Sequence, residues 1–155
     1  MNDIARKLGA ALKAKGLKLA TAESCTGGWV AMALTAIPGS SEWFERGYVT
    51  YSNEAKREDL GVAEATLRRH GAVSEQVACA MAAGTLKRAR AQVALAITGV
   101  AGPTGGTADK PVGLVCFAWA HGSKITSETR RFDGDRESVR RQSVLHALER
   151  VLELL

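Results

Sequence analysis

Val93-Ala94-Leu95-Ala96-Ile97 is an unbroken apolar run of strand length, and it empties into the loop Thr98-Gly99-Val100-Ala101-Gly102-Pro103-Thr104-Gly105-Gly106. A strand that is apolar at every position is a central strand of a sheet covered on both faces. Outward from it, the chain alternates. Asp3 to Lys15 carries a helical stripe of Ile4, Leu8, Ala11 and Leu12 closed by Gly16, and Lys18 to Ala22 reads as a short buried strand. Helix resumes after Gly27 and stops before the turn Ile37-Pro38-Gly39-Ser40; Tyr48 to Tyr51 is strand-like. Ser52 or Asn53 caps a helix containing Lys56, and Ser74 caps a longer one reaching Arg90. Val112 to Ala120 and Thr126 to Phe132 read as hairpin-linked strands, and from Asp135 the chain is helical, with Val144, Leu148, Val151 and Leu155 on one stripe. The pattern predicts a single three-layer α/β/α domain over residues 1–155, with a mixed, mostly parallel sheet.

The composition narrows the partners. No segment is long and apolar enough for a membrane-spanning helix. The N-terminus is charged on both sides of Ile4 and does not read as a secretion signal. Cys25, Cys79 and Cys116 are odd in number and lack CxxC spacing; Cys79 and Cys116 lie in apolar runs as reduced core residues, so a reducing cytoplasm is expected. The net charge of +5 suits an anionic ligand, yet aromatic residues make up only 5% of the chain. That is poor material for stacking on bases, and no nucleic acid is expected; a small phosphorylated ligand accounts for the charge as well as one would, and a solvated helix face better than either.

Chemistry concentrates in Thr21-Ala22-Glu23-Ser24-Cys25-Thr26-Gly27-Gly28-Trp29, a predicted strand-to-helix turn. Free backbone N–H groups gather at such turns and favour developing oxyanions. Ser24 is therefore a candidate nucleophile with Gly27 and Gly28 beside it; the bland alternative makes Ser24 or Thr26 a helix cap. Cys25 is a rival nucleophile at the same turn.

A serine without a histidine partner needs another base, and a lysine held neutral can serve. Lys56, in the first turns of its helix, is the best-placed amine, with Tyr51 at the preceding strand end able to relay a proton or hold it. The plain alternative is a solvated lysine. His70, His121 and His146 lie far apart, His70 at a helix end and His146 on the surface, and no metal site or cofactor is expected. The glycine-rich loop after Thr98 can bring bare N–H groups to a phosphate. On a helical wheel Arg141 lies nearer the apolar stripe of the last helix than Arg140 does; either could meet an anion. The chain has no GxxxxGK[ST], no GxGxxG after a strand, and no GxSxG or SxxK around Ser24.

Taken together, Thr21 to Gly28, Gly47 to Lys56, His70-Gly71-Ala72-Val73-Ser74, Thr98 to Pro103 with Lys110-Pro111-Val112-Gly113, and Gly134-Asp135-Arg136 with Val139-Arg140 resemble the nicotinamide-nucleotide amidohydrolases, the family of the CinA C-terminal domain. The resemblance implies an α/β/α domain, commonly oligomeric and here in the standalone form. It also implies hydrolysis of nicotinamide mononucleotide to nicotinate mononucleotide and ammonia in pyridine-nucleotide recycling. On the same resemblance Ser24 is the nucleophile, Lys56 and Tyr51 activate it, and Thr98 and Arg140 contact the ligand. A catalytically silent nucleotide- or partner-binding module of the same fold is the alternative.

Overall fold

The computed structural model describes residues 1–155. Five strands form one sheet in the order β2-β1-β3-β4-β5, with β1 Leu19–Glu23, β2 Phe44–Val49, β3 Val93–Gly99, β4 Leu114–His121 and β5 Lys124–Arg131. β1 pairs parallel to both β2 and β3, whereas β3–β4 and β4–β5 are antiparallel. Four of the five strands thus run in one direction and β4 runs against them, which is the expected mixed sheet. The helices are α1 Asn2–Ala14, α2 Trp29–Thr35, α3 Asn53–Leu60, α4 Glu64–His70, α5 Glu75–Arg88 and α6 Arg136–Leu154.

The central strand separates two cores because its side chains alternate in size. Leu95 and Ile97, with Phe117 and Trp119 of β4, pack against Leu8, Leu12, Val30, Leu34, Val144 and Leu148 of α1, α2 and α6. The opposite face presents Ala94, Ala96, Ala118 and Ala120 to Val77, Ala78, Met81 and Ala82 of α5. Successive strand residues point to opposite faces, so the large–small alternation lets α5 lie close while the other helices meet bulky side chains.

α5 also approaches α3 closely. A Cβ built on Gly84 would stand 1.9 Å from the carbonyl oxygen of Leu60. Both are backbone, so no side chain can yield. Gly84→Ala should therefore destabilise the fold by about 1–3 kcal/mol. That corresponds to a Tm lower by roughly 2–12 °C for a domain of this size, read by thermal unfolding. Because Leu60 lies one turn beyond Lys56 on α3, ammonia release should fall in the same variant; an unchanged Tm would contradict the contact.

Capping follows the sequence in two places: Ser52 Oγ accepts from the Ala55 N–H at 3.0 Å and Ser74 Oγ from the Val77 N–H at 3.2 Å. Two expectations need correction. His146 is not a surface residue: its ring stands among Phe117, Trp119 and Phe132 and its Nε2 lies 3.0 Å from Glu128 Oε2. Cys79 is half-buried rather than a core residue, whereas Cys116 is buried; all three cysteines are free thiols.

Candidate active site

In an open α/β sheet, ligands bind beyond the carboxyl ends of the strands, where neighbouring connections diverge. Here that crevice lies past β1 and β3. From β1 the chain crosses through α2 to β2 on one flank, and from β2 through α3, α4 and α5 to β3 on the other. Ser24 is the first residue after β1, Tyr51 lies just after β2, and Thr98 and Gly99 close β3.

Parallel pairing of β1 with β2 sets Glu23 beside Val49, and the Thr50 N–H donates to the Glu23 carbonyl at 2.9 Å. The two strand ends therefore leave the sheet side by side. The first turns of α3 then return Lys56 over them. Its Nζ donates to the Thr50 carbonyl at 2.8 Å and lies 3.0 Å from Ser24 Oγ. Lys56 is only 2% exposed and has no carboxylate partner. Desolvation of the ammonium form holds its pKa below the ordinary lysine range. An amine so placed, once neutral, can keep one N–H on Thr50 and accept the proton of the serine hydroxyl. The solvated alternative is excluded by burial. Tyr51 does not hold the lysine; Thr50 does, through backbone.

The turn after β1 is fixed from several sides. The Ser24 N–H donates to the Ile97 carbonyl at 2.9 Å and the Gly27 N–H to the Ser24 carbonyl at 3.0 Å. Gly27 and Gly28 take φ of +60° and +101°, a region costly for any side chain. Arg140 donates from Nε to the Cys25 carbonyl at 3.1 Å and from Nη2 to the Thr26 carbonyl at 3.0 Å, with its guanidinium 5.3 Å from the Trp29 ring centre. Arg140, and not Arg141, therefore faces this turn; Arg141 is largely exposed and lies 3.9 Å from Glu137. Ser24 is not a helix cap: its only side-chain partner is Lys56, and the Thr26 hydroxyl donates to Glu23 Oε1 at 2.7 Å.

Glu23 is the residue that sequence reasoning missed at this turn. Fully buried at the end of β1, its carboxylate accepts from Thr26 Oγ1 and from the Val30 and Ala31 N–H groups at 2.9 and 3.1 Å. It therefore satisfies the Val30 and Ala31 N–H groups in the first turn of α2. The N–H groups of Cys25, Thr26 and Gly28 donate to nothing within the chain, and they are the remaining donors next to Ser24. Cys25 is no rival nucleophile, since burial pushes its thiol up to about 12.

A cavity of about 280 Å³ opens in front of Ser24, walled by Tyr51, Val73, Gly99 to Gly102, Thr104, Gly105 and Arg136. Thr98 is not part of this wall: it is buried and its hydroxyl donates to the Ala72 carbonyl at 2.8 Å, tying the loop after α4 to the central strand. Tyr51 is 61% exposed, and its hydroxyl accepts from Arg136 Nη2 at 2.9 Å. The site thus brings together Ser24, Lys56 and Tyr51, and it places Thr98 and Arg140 behind them as supports.

The chain is similar to known proteins along nearly its whole length. The CinA C-terminal domain model matches residues 1–155. A nicotinamide-nucleotide amidohydrolase (PncC) of Escherichia coli is 57% identical over 149 residues, covering 95% of this chain and 90% of that protein. One from Pseudomonas putida is 52% identical over 154 residues, covering 99% and 96%. Among solved structures, the competence/damage inducible protein CihA from Agrobacterium tumefaciens superposes with a TM-score of 0.95 at 48% identity, covering 99% of this chain and 94% of that one. No helix here is long and apolar enough to cross a membrane.

Proposed function

Because the chain belongs to the CinA C-terminal domain family, we propose that it deamidates nicotinamide mononucleotide to nicotinate mononucleotide and ammonia, as an amidohydrolase of pyridine-nucleotide recycling. The observation that carries the reading is the 3.0 Å contact between Ser24 Oγ and the buried, unpaired Lys56 amine. Neutral Lys56 takes the hydroxyl proton as Ser24 Oγ bonds to the carboxamide carbon. The N–H groups of Cys25, Thr26 or Gly28 receive the oxyanion, and one such donor is typically worth about 3 kcal/mol. The ammonium form of Lys56 returns its proton to the departing nitrogen, so ammonia leaves and an acyl-serine remains. Water, deprotonated by the same amine, then attacks the ester, and the tetrahedral intermediate expels Ser24, which recovers its proton.

Gly27 and Gly28 let the backbone of the turn approach the substrate, and Tyr51 lines the entrance. Thr98 and Arg140 act as positioning residues that hold the surrounding loops. A cytoplasmic, homo-oligomeric enzyme using no cofactor completes the proposal.

Purified protein supplied with nicotinamide mononucleotide should release ammonia in stoichiometric amount with nicotinate mononucleotide. Saturable binding with no turnover would instead identify a nucleotide-binding module. The pH dependence carries a sign. Lys56 must be unprotonated to act, so kcat/KM should rise about tenfold per pH unit below its pKa and level off above it. Since burial lowers that pKa from 10.5, the plateau should begin below this value. A rate that falls as pH rises through this range would contradict Lys56 as the base.

A further inference from the structure

Arg136 is the one charged side chain in the wall of the cavity that holds Ser24, and no carboxylate lines that wall. It also borders the adjoining cavity of about 590 Å³ formed with Gly27, Gly28, Trp29, Met32, Glu137 and Arg140. Arg140, the cation that sequence reading placed on the ligand, has its Nε and Nη2 donors engaged by the carbonyls of Cys25 and Thr26. Arg136 differs. It forms no ion pair and donates only from Nη1 to the Gly102 carbonyl at 2.8 Å and from Nη2 to the Tyr51 hydroxyl at 2.9 Å. A guanidinium has five N–H donors, so three stay unassigned.

Those two contacts aim the guanidinium across the cavity from the glycine loop to Tyr51. The loop itself adds donors. Ala101, Gly102, Thr104 and Gly105 line the cavity, and their N–H groups pair with no acceptor in the chain. Gly102 and Gly105 have φ of +82° and +90°. A buried carboxylate already occupies the Val30 and Ala31 N–H groups of α2, and the unpaired N–H groups of Cys25, Thr26 and Gly28 are given to the oxyanion. The cation and the unpaired loop N–H groups that meet at the Ser24 cavity are those of Arg136 and of residues 101–105.

We propose that Arg136 is the phosphate-recognising residue of the substrate site, acting with the backbone of residues 101–105. It makes the protein selective for the phosphorylated amide over the corresponding nucleoside. The inference rests on the amidase reading and adds to it the residue that sets substrate class. Tyr51 then has a positioning role, since its hydroxyl orients the guanidinium from the far side of the mouth.

The experiment compares the wild type, Arg136→Gln and Arg136→Lys on nicotinamide mononucleotide and on nicotinamide riboside, which shares the carboxamide and sugar and lacks the phosphate. Loss of a charge-assisted pair predicts that the preference for the mononucleotide falls about 100-fold in Arg136→Gln, carried by KM rather than kcat. Arg136→Lys should recover part of it. Inorganic phosphate should inhibit the wild type competitively and lose that inhibition in Arg136→Gln. Equal losses on both substrates, or an unaltered preference, would overturn the assignment. Were the wild type to turn over neither amide, the amidase reading would fail by itself. The phosphate proposal would then stand or fall on calorimetric binding of inorganic phosphate to wild type against Arg136→Gln.

Discussion

Ser24→Ala is expected to lower ammonia release from nicotinamide mononucleotide by at least about 10⁴-fold, the scale on which removing a nucleophile that acts as part of a unit is felt. The residual rate would come from water attacking a carboxamide still bound and polarised by the N–H groups of the turn. Folding should be preserved, because the Ser24 side chain makes a single hydrogen-bonding contact, with Lys56. The turn is otherwise held by contacts that do not involve this side chain. Ser24 N–H reaches the Ile97 carbonyl, Gly27 N–H reaches the Ser24 carbonyl, and Arg140 clamps the next two carbonyls. Mass spectrometry of the wild type quenched during turnover should find an acyl adduct on the peptide carrying Ser24, absent from the variant. Full activity in Ser24→Ala would remove this residue from the chemistry.

Lys56→Met should lower activity by at least about 10³-fold, since the same amine serves both as base toward Ser24 and as acid toward the leaving nitrogen. Methionine fills a similar volume without a charge, which makes the stability readout informative as well. In the wild type, burial lowers the Lys56 pKa from 10.5, so between the lowered value and 10.5 the unfolded chain binds more protons than the folded one. Stability therefore rises with pH across that window. Below the window both states hold the proton and the full cost of a buried ammonium is present; above it that cost has gone. The Tm difference between Lys56→Met and wild type should thus shift in favour of the wild type as pH rises toward 10.5. A difference independent of pH would mean that Lys56 titrates alike in both states.

The alternation of elements was readable from local pattern. The unbroken apolar run at Val93, the caps at Ser52 and Ser74 and the stop at Gly16 are all decided by neighbours a few residues away. Boundaries blurred where local polarity competed with pairing. β2 begins at Phe44 rather than Tyr48, because Glu45 and Arg46 lie in a strand only partly covered by α2. The short α4, Glu64–His70, has too few turns to show a stripe, and only its end at His70 was legible.

At the site, Ser24 and Lys56 could be nominated by residue type, but their meeting could not. It depends on the parallel register of β1 with β2 and on α3 folding back over both. Glu23 looked like an ordinary strand-end carboxylate; its burial follows from three donors supplied by α2 and Thr26, a tertiary fact. Among the basic residues of α6, the helical wheel ranked Arg141 above Arg140. It had no means of seeing that Arg140 reaches back to Cys25 and Thr26, or that Arg136 faces the cavity from the first turn. One signal was present: Asp135 caps α6, so its first residue, Arg136, begins at the mouth of the crevice.

The central claim is that the amine beside Ser24 loses its proton far more readily than a lysine in water. Nitrogen-15 NMR titration of Lys56, assigned by comparison with Lys56→Met, reads this directly. The expected result is a midpoint clearly below 10.5 that coincides with the rise of kcat/KM. A midpoint at or above 10.5 would contradict it.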